Sequence, residues 1–467
     1  MRPTTELSLG CTLVAIGIAV GTAGAQSTSA PERTGLQLPP IRPLGAVKAT
    51  ARETFTLLAQ LRPLSDGRVL VNDPFGRRVL LYDEGLANFT VVADSTSATS
   101  NAYSGRFAGL IGYKADSTLF VDPQSLSMLV LDPTGKVGRV MSVPSAQDAP
   151  AFAGMMGGTA LDANGRLVYR ASPRFEFRRG PGAAGAPPGI PDMPDSAAIF
   201  RIDLATRQID TVGYIKIPKL KMNMSQDENG RVRMTSEVNP LPLVDDWAVL
   251  SDGSVALVRG RDYHVDWVNP DGTRSSSPKI PFEWRRLTDE DKVAFIDSVK
   301  AARERMGANA PMVMGPGGGA TVIAGGPPPG GGGAEQRMVI TMGAAGAAVG
   351  GPPPAGGAQR GAAGAPGPNF TAAQVNFIPP SELPDYQPPF LANSTRADAQ
   401  GNIWIRTIPT KAIKGGPVYD VVNRKGELVE RVQVPEGRTI VAFAPNGDVY
   451  MTFREGQTTK LEKATLR

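Results

Sequence analysis

Six times along this chain a short phrase returns: an apolar run, a tight turn, a second apolar run ending in a polar residue, then a third apolar run closed by another turn. The first turns are Asp66-Gly67, Asp116-Ser117, Asn164-Gly165, Asp252-Gly253, Gln400-Gly401 and Asn446-Gly447. The second turns are read at Asp83–Gly85, Asp132–Gly135, Asp203–Thr206, Asn269–Gly272, Asn423–Gly426 and Glu462–Thr465. A repeat constrains the fold more than any local motif, because each copy is a unit that cannot bury its apolar face alone.

The first copy shows the unit in full. Residues 61–64, 68–73, 78–83 and 88–92 are strand-length runs of aliphatic and β-branched residues bounded by turn chemistry. Asp-Gly and Asn-Gly suit type I′ hairpins, in which both central residues need positive φ. Each copy therefore predicts a four-stranded antiparallel meander, with strand A before the first turn, B after it, C before the second turn and D last. The turn glycines, with Ser117 standing in for one, lie 50, 48, 88, 148 and 46 residues apart, a period just under 50 with two large insertions. Stacking such sheets radially around a channel buries both faces of each. Six copies thus predict an all-β, six-bladed β-propeller. After Thr459–Glu462 too few residues remain for an outermost strand in blade six. The spare run Glu53–Leu58 is expected to complete that sheet, close the ring and remove an exposed edge.

Asp66–Asp73 followed by Arg78–Asp83 resembles the repeat of NHL-type and TolB-like exported bacterial six-bladed propellers. The likeness extends over residues 51–467 outside the insertions. It implies a fold rather than a reaction, because such propellers host enzymes, binders and scaffolds alike. Ser117 in place of Gly and Gln400 in place of Asp or Asn depart from the pattern and weaken the turn signal of blades two and five.

The N-terminus reads as a secretory signal over residues 1–25: Arg2, an apolar stretch from Cys11 to Val20, and small residues Ala23-Gly24-Ala25 before Gln26. The stretch is too short for the roughly 20 apolar residues of a membrane span. Cys11 precedes the apolar stretch, unlike a lipoprotein cysteine, which follows one. Cleavage would leave a chain without cysteine, so neither disulfides nor thiolate chemistry nor Cys-ligated metal is expected. Residues 26–50 read as a linker, and the location as periplasmic or secreted. A formal net charge of +5 is small for 467 residues of which 20% are charged, and no dense Lys/Arg block suggests a nucleic-acid partner. The expected state is a monomer with no integral membrane span.

Three insertions interrupt the repeat, at 171–196, 217–246 and 282–388. Residues 307–368 are Gly/Ala/Pro-rich and expected to be disordered, having too little side-chain area to offset the entropy of ordering. Before them a helix is predicted over 288–306. Thr288 and Asp291 make an approximate capping box, Asp289 and Glu290 occupy the first turn, and Lys300, Arg303 and Arg305 lie towards the end. Val293, Phe295, Ile296 and Val299 form its expected apolar face. All three insertions fall in B-to-C or D-to-A connections, which share one face of a propeller. Elaborated loops on a rigid scaffold are where binding residues concentrate, so any site belongs at that mouth.

The single histidine, His264, lies in an alternating third-strand segment of blade four and reads as structural. One histidine leaves no His-based zinc or copper centre. It also disfavours quinone-cofactor propellers of the soluble glucose dehydrogenase type, which lean on histidine. No Ser-x-Asp-x-Gly-x-x-Trp box of sialidases occurs. The runs Gly315–Gly319 and Gly330–Gly333 lack the strand and the Gly-Lys-Ser/Thr of a phosphate loop. At the mouth-facing ends of B strands stand Asn72, Asp73 and Asp122, then Arg170, Arg259, Arg406 and Thr452. The arginines suit an anionic ligand or partner carboxylates. The oxygen ligands resemble those of gluconolactonase-type lactonases, which hold a divalent cation at the channel mouth, and imply calcium as the alternative cofactor. The reading is a binding or interaction scaffold for a protein or small anionic ligand, without cofactor, with a cation-dependent lactonase as the alternative. No catalytic residue is assigned.

Overall fold

The computed structural model describes residues 38–58, 60–95, 103, 108–154, 158–172, 194–219, 221–226, 232–306, 313–315, 319–325, 337–343, 374–411, 413–456 and 458–466. The signal segment and 173–193 of the first insertion lie outside them. The six expected blades are present, each in the order A-B-C-D from the channel outwards. Blade one is Gln60–Pro63, Val69–Asp73, Arg78–Tyr82 and Phe89–Asp94. Blade two runs from Gly109–Gly112 to Val137–Ser142 and blade three from Ala160–Leu161 to Ile209–Lys216. Blade four runs from Asp246–Val249 to Arg274–Ser276, and blade five comprises Phe390–Ala397, Ile403–Thr407, Val418–Val422 and Leu428–Gln433. Innermost strands of blades one and two, two and three, four and five, five and six, and six and one contact each other, while strand D of blade three meets strand A of blade four.

Closure differs from expectation in its details. Blade six consists of Arg438–Phe443, Asp448–Glu455 and Thr458–Thr465, and its fourth strand is Val47–Thr50. Val47 pairs with Ala464 and Thr50 with Glu462. Glu53–Leu58 supplies only the bridge from Phe55 to Thr459, because its apolar side chains plug the seam instead: Ala51, Phe55 and Leu58 are buried between blades six and one. Glu462–Thr465 is therefore strand, not a second turn, since no chain passes from C to D in this blade. The expected linker is also structural from Ile41, as Ile41–Pro43 lies parallel on the outer strand of blade five.

The first turns need less left-handed backbone than a type I′ hairpin. The N–H groups of Gly67, Gly165, Gly253, Gly401 and Gly447 bond back to Leu64, Asp162, Leu250, Asp398 and Ala444, and in these five turns the glycine carries the positive φ, between 75° and 87°. Its partner keeps ordinary φ, so Gln400 serves as well as Asp or Asn. The glycine-free copy is the type I′ turn: Ala115 and Asp116 have φ of 51° and 59°, with Ser117 N–H bonded to the Lys114 carbonyl. The recurrent Asp or Asn has a second task. Asp66, Asp252 and Asn446 each accept the N–H two residues on, from Arg68 at 3.1 Å, Ser254 at 2.9 Å and Asp448 at 3.0 Å. In turns three and five Asp162 and Asp398, two residues before the turn pair, accept two N–H groups each, as Asp132 and Asn423 do in second turns.

Each B strand reads as a continuous apolar run because both its faces are buried. Ile403 and Ile405 enter the seam with blade four, and Trp404 enters the seam with blade six. Six such seams ring the channel. The seam between blades four and five also holds a charge: Asp420 accepts hydrogen bonds from Tyr263 Oη at 2.9 Å and Arg431 Nε at 3.3 Å. Burial pushes its carboxyl up to about 6, against the pull of Arg431 and of the two hydrogen bonds.

The helix is Asp289–Met306, and its capping box is reciprocal: Asp291 N–H donates to Thr288 Oγ1 and Thr288 N–H to Asp291 Oδ2, both at 3.2 Å. Its buried face is Lys292, Ile296, Val299 and Ala302, with Phe295 half-buried. Val293 faces outwards, because Lys292 takes the inner position to reach Asp385 at 2.8 Å. Within 307–368, where no regular structure is expected, strands Val313–Gly315, Gly319–Gly325 and Arg337–Gly343 pair antiparallel, and they coincide with the Val/Ile/Thr-bearing pieces of the segment. The second and third insertions meet in one sheet: Val232–Val238 pairs antiparallel with Lys221–Gln226 and parallel with Gln374–Phe377. Among the described residues no helix is long and apolar enough to cross a membrane.

Two outcomes follow from closure and from Asp420. Phe55→Ala should cost about 3–5 kcal/mol in chemical denaturation, and a chain beginning at Leu61 should melt sharply lower; an unchanged melt of either would contradict closure by the N-terminal segment. Asp420 binds its proton more tightly folded than unfolded. Its contribution to stability, about 2–3 kcal/mol, is therefore present below about pH 4 and lost as pH rises through 6. The stability difference between wild type and Asp420→Asn, followed by denaturation from pH 4 to 7, should shrink by that amount as pH rises; a flat difference would refute the assignment.

Candidate functional site at the elaborated mouth

The mouth is built by connections that leave B strands and enter A strands. The Asp289–Met306 helix covers part of it. Ile296 packs with Leu241 from the blade-three exit, Ile378 and Leu383 from the blade-five entry, and Leu391 from the innermost strand of blade five. That strand is irregular where the helix meets it. Phe390 pairs with Thr407, and the next register pair is Thr395 with Ile405, so Leu391–Ser394 bulge out, with Asn393 at φ 63°. A bulge on an innermost strand re-aims side chains at the channel rim.

Two side chains fix the bulge. Thr395 N–H donates to Asp246 Oδ2 at 2.8 Å, joining blade five to the first residue of blade four. Arg396 folds back to donate to the carbonyls of Asn393 and Thr395 at 3.0 and 2.7 Å. Asp246 is fully enclosed, and burial raises its carboxyl despite the Thr395 N–H and nearby Arg396. Arg170, at the end of strand B in blade three, is the matching cation: burial pulls its guanidinium down to about 10, opposed by the charge of Asp246. Asp246 and Arg396 escaped the sequence reading. The pair Asp245-Asp246 at the close of an insertion looks like a solvated acidic end, and only the approach of blade five makes one of the two buried.

The residues singled out by sequence divide into two groups. Asn72, Asp73 and Asp122 stay within the structure of blades one and two. Asp73 accepts from Gly76 N–H at 2.8 Å and Arg78 Nε at 3.1 Å, and Asp122 from Gln124 N–H at 3.1 Å and Ser125 Oγ at 2.8 Å, which closes the B-to-C turns. Asn72 donates to the Ala108 carbonyl at 2.5 Å, while its buried Oδ1 has no hydrogen-bond partner. Arg259 is likewise committed, at 2.8 Å each, to Asp266, Asp245 and the Tyr214 carbonyl. His264 sits between Asp262 at 2.8 Å and Asp266 at 3.2 Å, on the edge of blade four.

Arg406 is different. It stands opposite the bulge, half-buried, and its guanidinium reaches across to Thr439 Oγ1 at 3.5 Å. Thr439 pairs across the first two strands of blade six with Thr452, so three of the mouth's polar groups meet at the blade five–six boundary. Arg78, Arg259, Arg431 and Arg438 each face a carboxylate within 3.3 Å, whereas Arg406 has none within 4 Å among the described residues. A cation held this way is available to an outside anion.

Whether the expected oxygen ligands suit a divalent cation depends on what their lone pairs already do. Each carboxylate oxygen of Asp73 and of Asp122 already accepts a hydrogen bond within its own turn, while the buried Asn72 Oδ1 accepts none among the described residues. Among the described residues no three His, Cys, Asp or Glu side chains converge. The set does not fit calcium.

No protein-family model matches the chain, and no curated protein matches it. Among solved structures it is similar to a gluconolactonase from Xanthomonas campestris, at 9% identity with a TM-score of 0.36, covering 91% of this chain and 97% of that one. It is also similar to the calcium-binding protein regucalcin of Agrobacterium tumefaciens, at 11% identity and TM-score 0.38, covering 92% and 97%. A third is virginiamycin B lyase of Staphylococcus aureus, at 10% identity and TM-score 0.31, covering 88% and 96%. At such distance none of them lends this chain a ligand or a reaction, and they do not single out the NHL-type family; the propeller itself rests on the strand order of its six sheets.

Proposed function

We propose that the protein is an exported, monomeric six-bladed propeller, periplasmic or secreted, that holds a small carboxylate-bearing ligand at its elaborated mouth. The observation that carries this reading is Arg406, a half-buried residue at the rim whose guanidinium has no carboxylate within 4 Å among the described residues. Its planar fork matches a carboxylate with two parallel hydrogen bonds. The half-buried hydroxyls of Thr439 and Thr452 can bond the ligand's remaining polar atoms. Arg170 and Arg396 lie near Asp246 in the neighbouring blades and add positive charge to this part of the molecule.

A gluconolactonase-type hydrolase using a divalent cation is the second reading. It is favoured by the orphaned Asn72 Oδ1 and opposed by the prior engagement of Asp73 and Asp122.

Thermal melts separate the two. Succinate or citrate should raise the melting temperature of wild type by mass action, about 2.7 kcal/mol at a hundredfold excess over Kd, and Arg406→Gln should abolish the shift while keeping its ligand-free melt. A wild type indifferent to every dicarboxylate tried would end the anion reading. Calcium is expected to leave the melting temperature unchanged; a calcium-dependent rise lost in Asn72→Ala would put the hydrolase in its place.

A further inference from the structure

The connection between blades four and five carries a second cluster that the Arg406 site does not use. An aromatic ladder climbs from the seam to the surface. Phe390 lies 5.9 Å from Tyr263, Tyr263 lies 5.5 Å from Phe282, and Phe282 meets Trp284 edge to face at 5.3 Å. Phe390 and Tyr263 are buried and Phe282 is half-buried, while Trp284 is 40% exposed. Its ring is thus held from below by a packed stack, although its outer part faces solvent.

Beside it runs a short antiparallel contact. Leu287 N–H donates to the Asp385 carbonyl at 2.8 Å and Gln387 N–H to the Arg285 carbonyl at 2.9 Å, which sets Arg286 opposite Tyr386. Residues facing each other between such bonds form the close, non-hydrogen-bonded pair, with side chains on one side. Trp284 lies two residues before Arg286, beside this pair. Trp284, Arg286 and Tyr386 are all exposed, with Tyr386 across from Arg286 and Trp284 two residues along the chain from it, so they make one surface patch.

Charge singles out Arg286. Neighbouring cations are neutralised: Arg285 by Asp291 at 2.8 Å, Lys292 by Asp385 at 2.8 Å and Lys411 by Glu283 at 3.1 Å. Arg286 has no carboxylate within 4 Å among the described residues; Asp385, beside its cross-strand partner Tyr386, is held by Lys292, and the charge of Arg286 adds only a lesser pull on it. The patch combines two exposed aromatic side chains with a guanidinium that has no ion-pair partner among the described residues.

We propose that Trp284, Arg286 and Tyr386 form a binding strip for an acidic polysaccharide built of uronate residues. A pyranose ring offers an apolar C–H face that stacks on an indole or phenol while its hydroxyls stay in water, and a uronate adds the carboxylate that a guanidinium grips in two places. Rigid aromatics lose little conformational freedom on binding. A nucleic acid would need further uncompensated cations along its backbone, and the flanking ones are neutralised.

Affinity electrophoresis of the full chain tests the strip, with polygalacturonate as the probe and dextran and poly-glutamate as comparators. Wild type should be retarded by polygalacturonate and unaffected by dextran. Trp284→Ala and Arg286→Gln should each weaken the retardation at least tenfold, and Arg286→Gln, whose side chain is exposed, should do so with an unchanged melting temperature. Arg406→Gln should keep it, which separates this strip from the carboxylate site. No retardation of wild type, or equal retardation of the two strip variants, would overturn the proposal. Binding of poly-glutamate as tight as that of polygalacturonate would replace the sugar by an acidic peptide, and loss in Arg406→Gln would move the polymer to the channel rim.

Discussion

Closure of the ring is the condition on which everything else stands. Each sheet has two apolar faces, and six sheets leave none exposed only if the last packs against the first. The chain achieves this by lending Val47–Thr50 to a sheet whose other strands come from the far C-terminus, and by driving Phe55 and Leu58 into the seam behind it. The contact is among the most distant in sequence that the fold contains, so it comes at the largest loop-closure entropy. The surface it removes from water is correspondingly apolar.

Much of this architecture was legible because it is encoded in local chemistry repeated six times. The spacing of Asp/Asn-Gly turns set the number of blades, and the continuous apolar B strands marked sheets buried on both faces. The turn geometry was less legible. Asp66 and Asn164 look like left-handed positions in a type I′ hairpin, yet they keep ordinary φ and leave the left-handed residue to Gly67 and Gly165. The repeated Asp or Asn is retained for a different reason, namely bonding to the backbone of its own turn. Ala115 and Asp116 show the converse, since a left-handed pair forms there without glycine when the flanking strands fix the register.

The mouth was legible in outline and obscure in detail. That the insertions share a face follows from strand order alone. Which side chains are available there does not, since availability depends on partners brought in by other blades. Asp73, Asp122 and Arg259 look like equals of Arg406 in sequence, but intrablade turns and nearby acids occupy them. Asp246 becomes a buried acid only because the blade-five bulge presents the Thr395 N–H to it. Positions that sequence ranks alike are thus sorted by tertiary contacts.

The parallel pairing of Val232–Val238 with Gln374–Phe377 has a mechanical meaning. One strand belongs to the chain entering blade four, the other to the chain that has left it on the way to blade five. Their ladder ties entry to exit, so blade four is girdled by its own connections like a bead on a knotted thread. A pull on either of these two strands is passed to the other through that ladder.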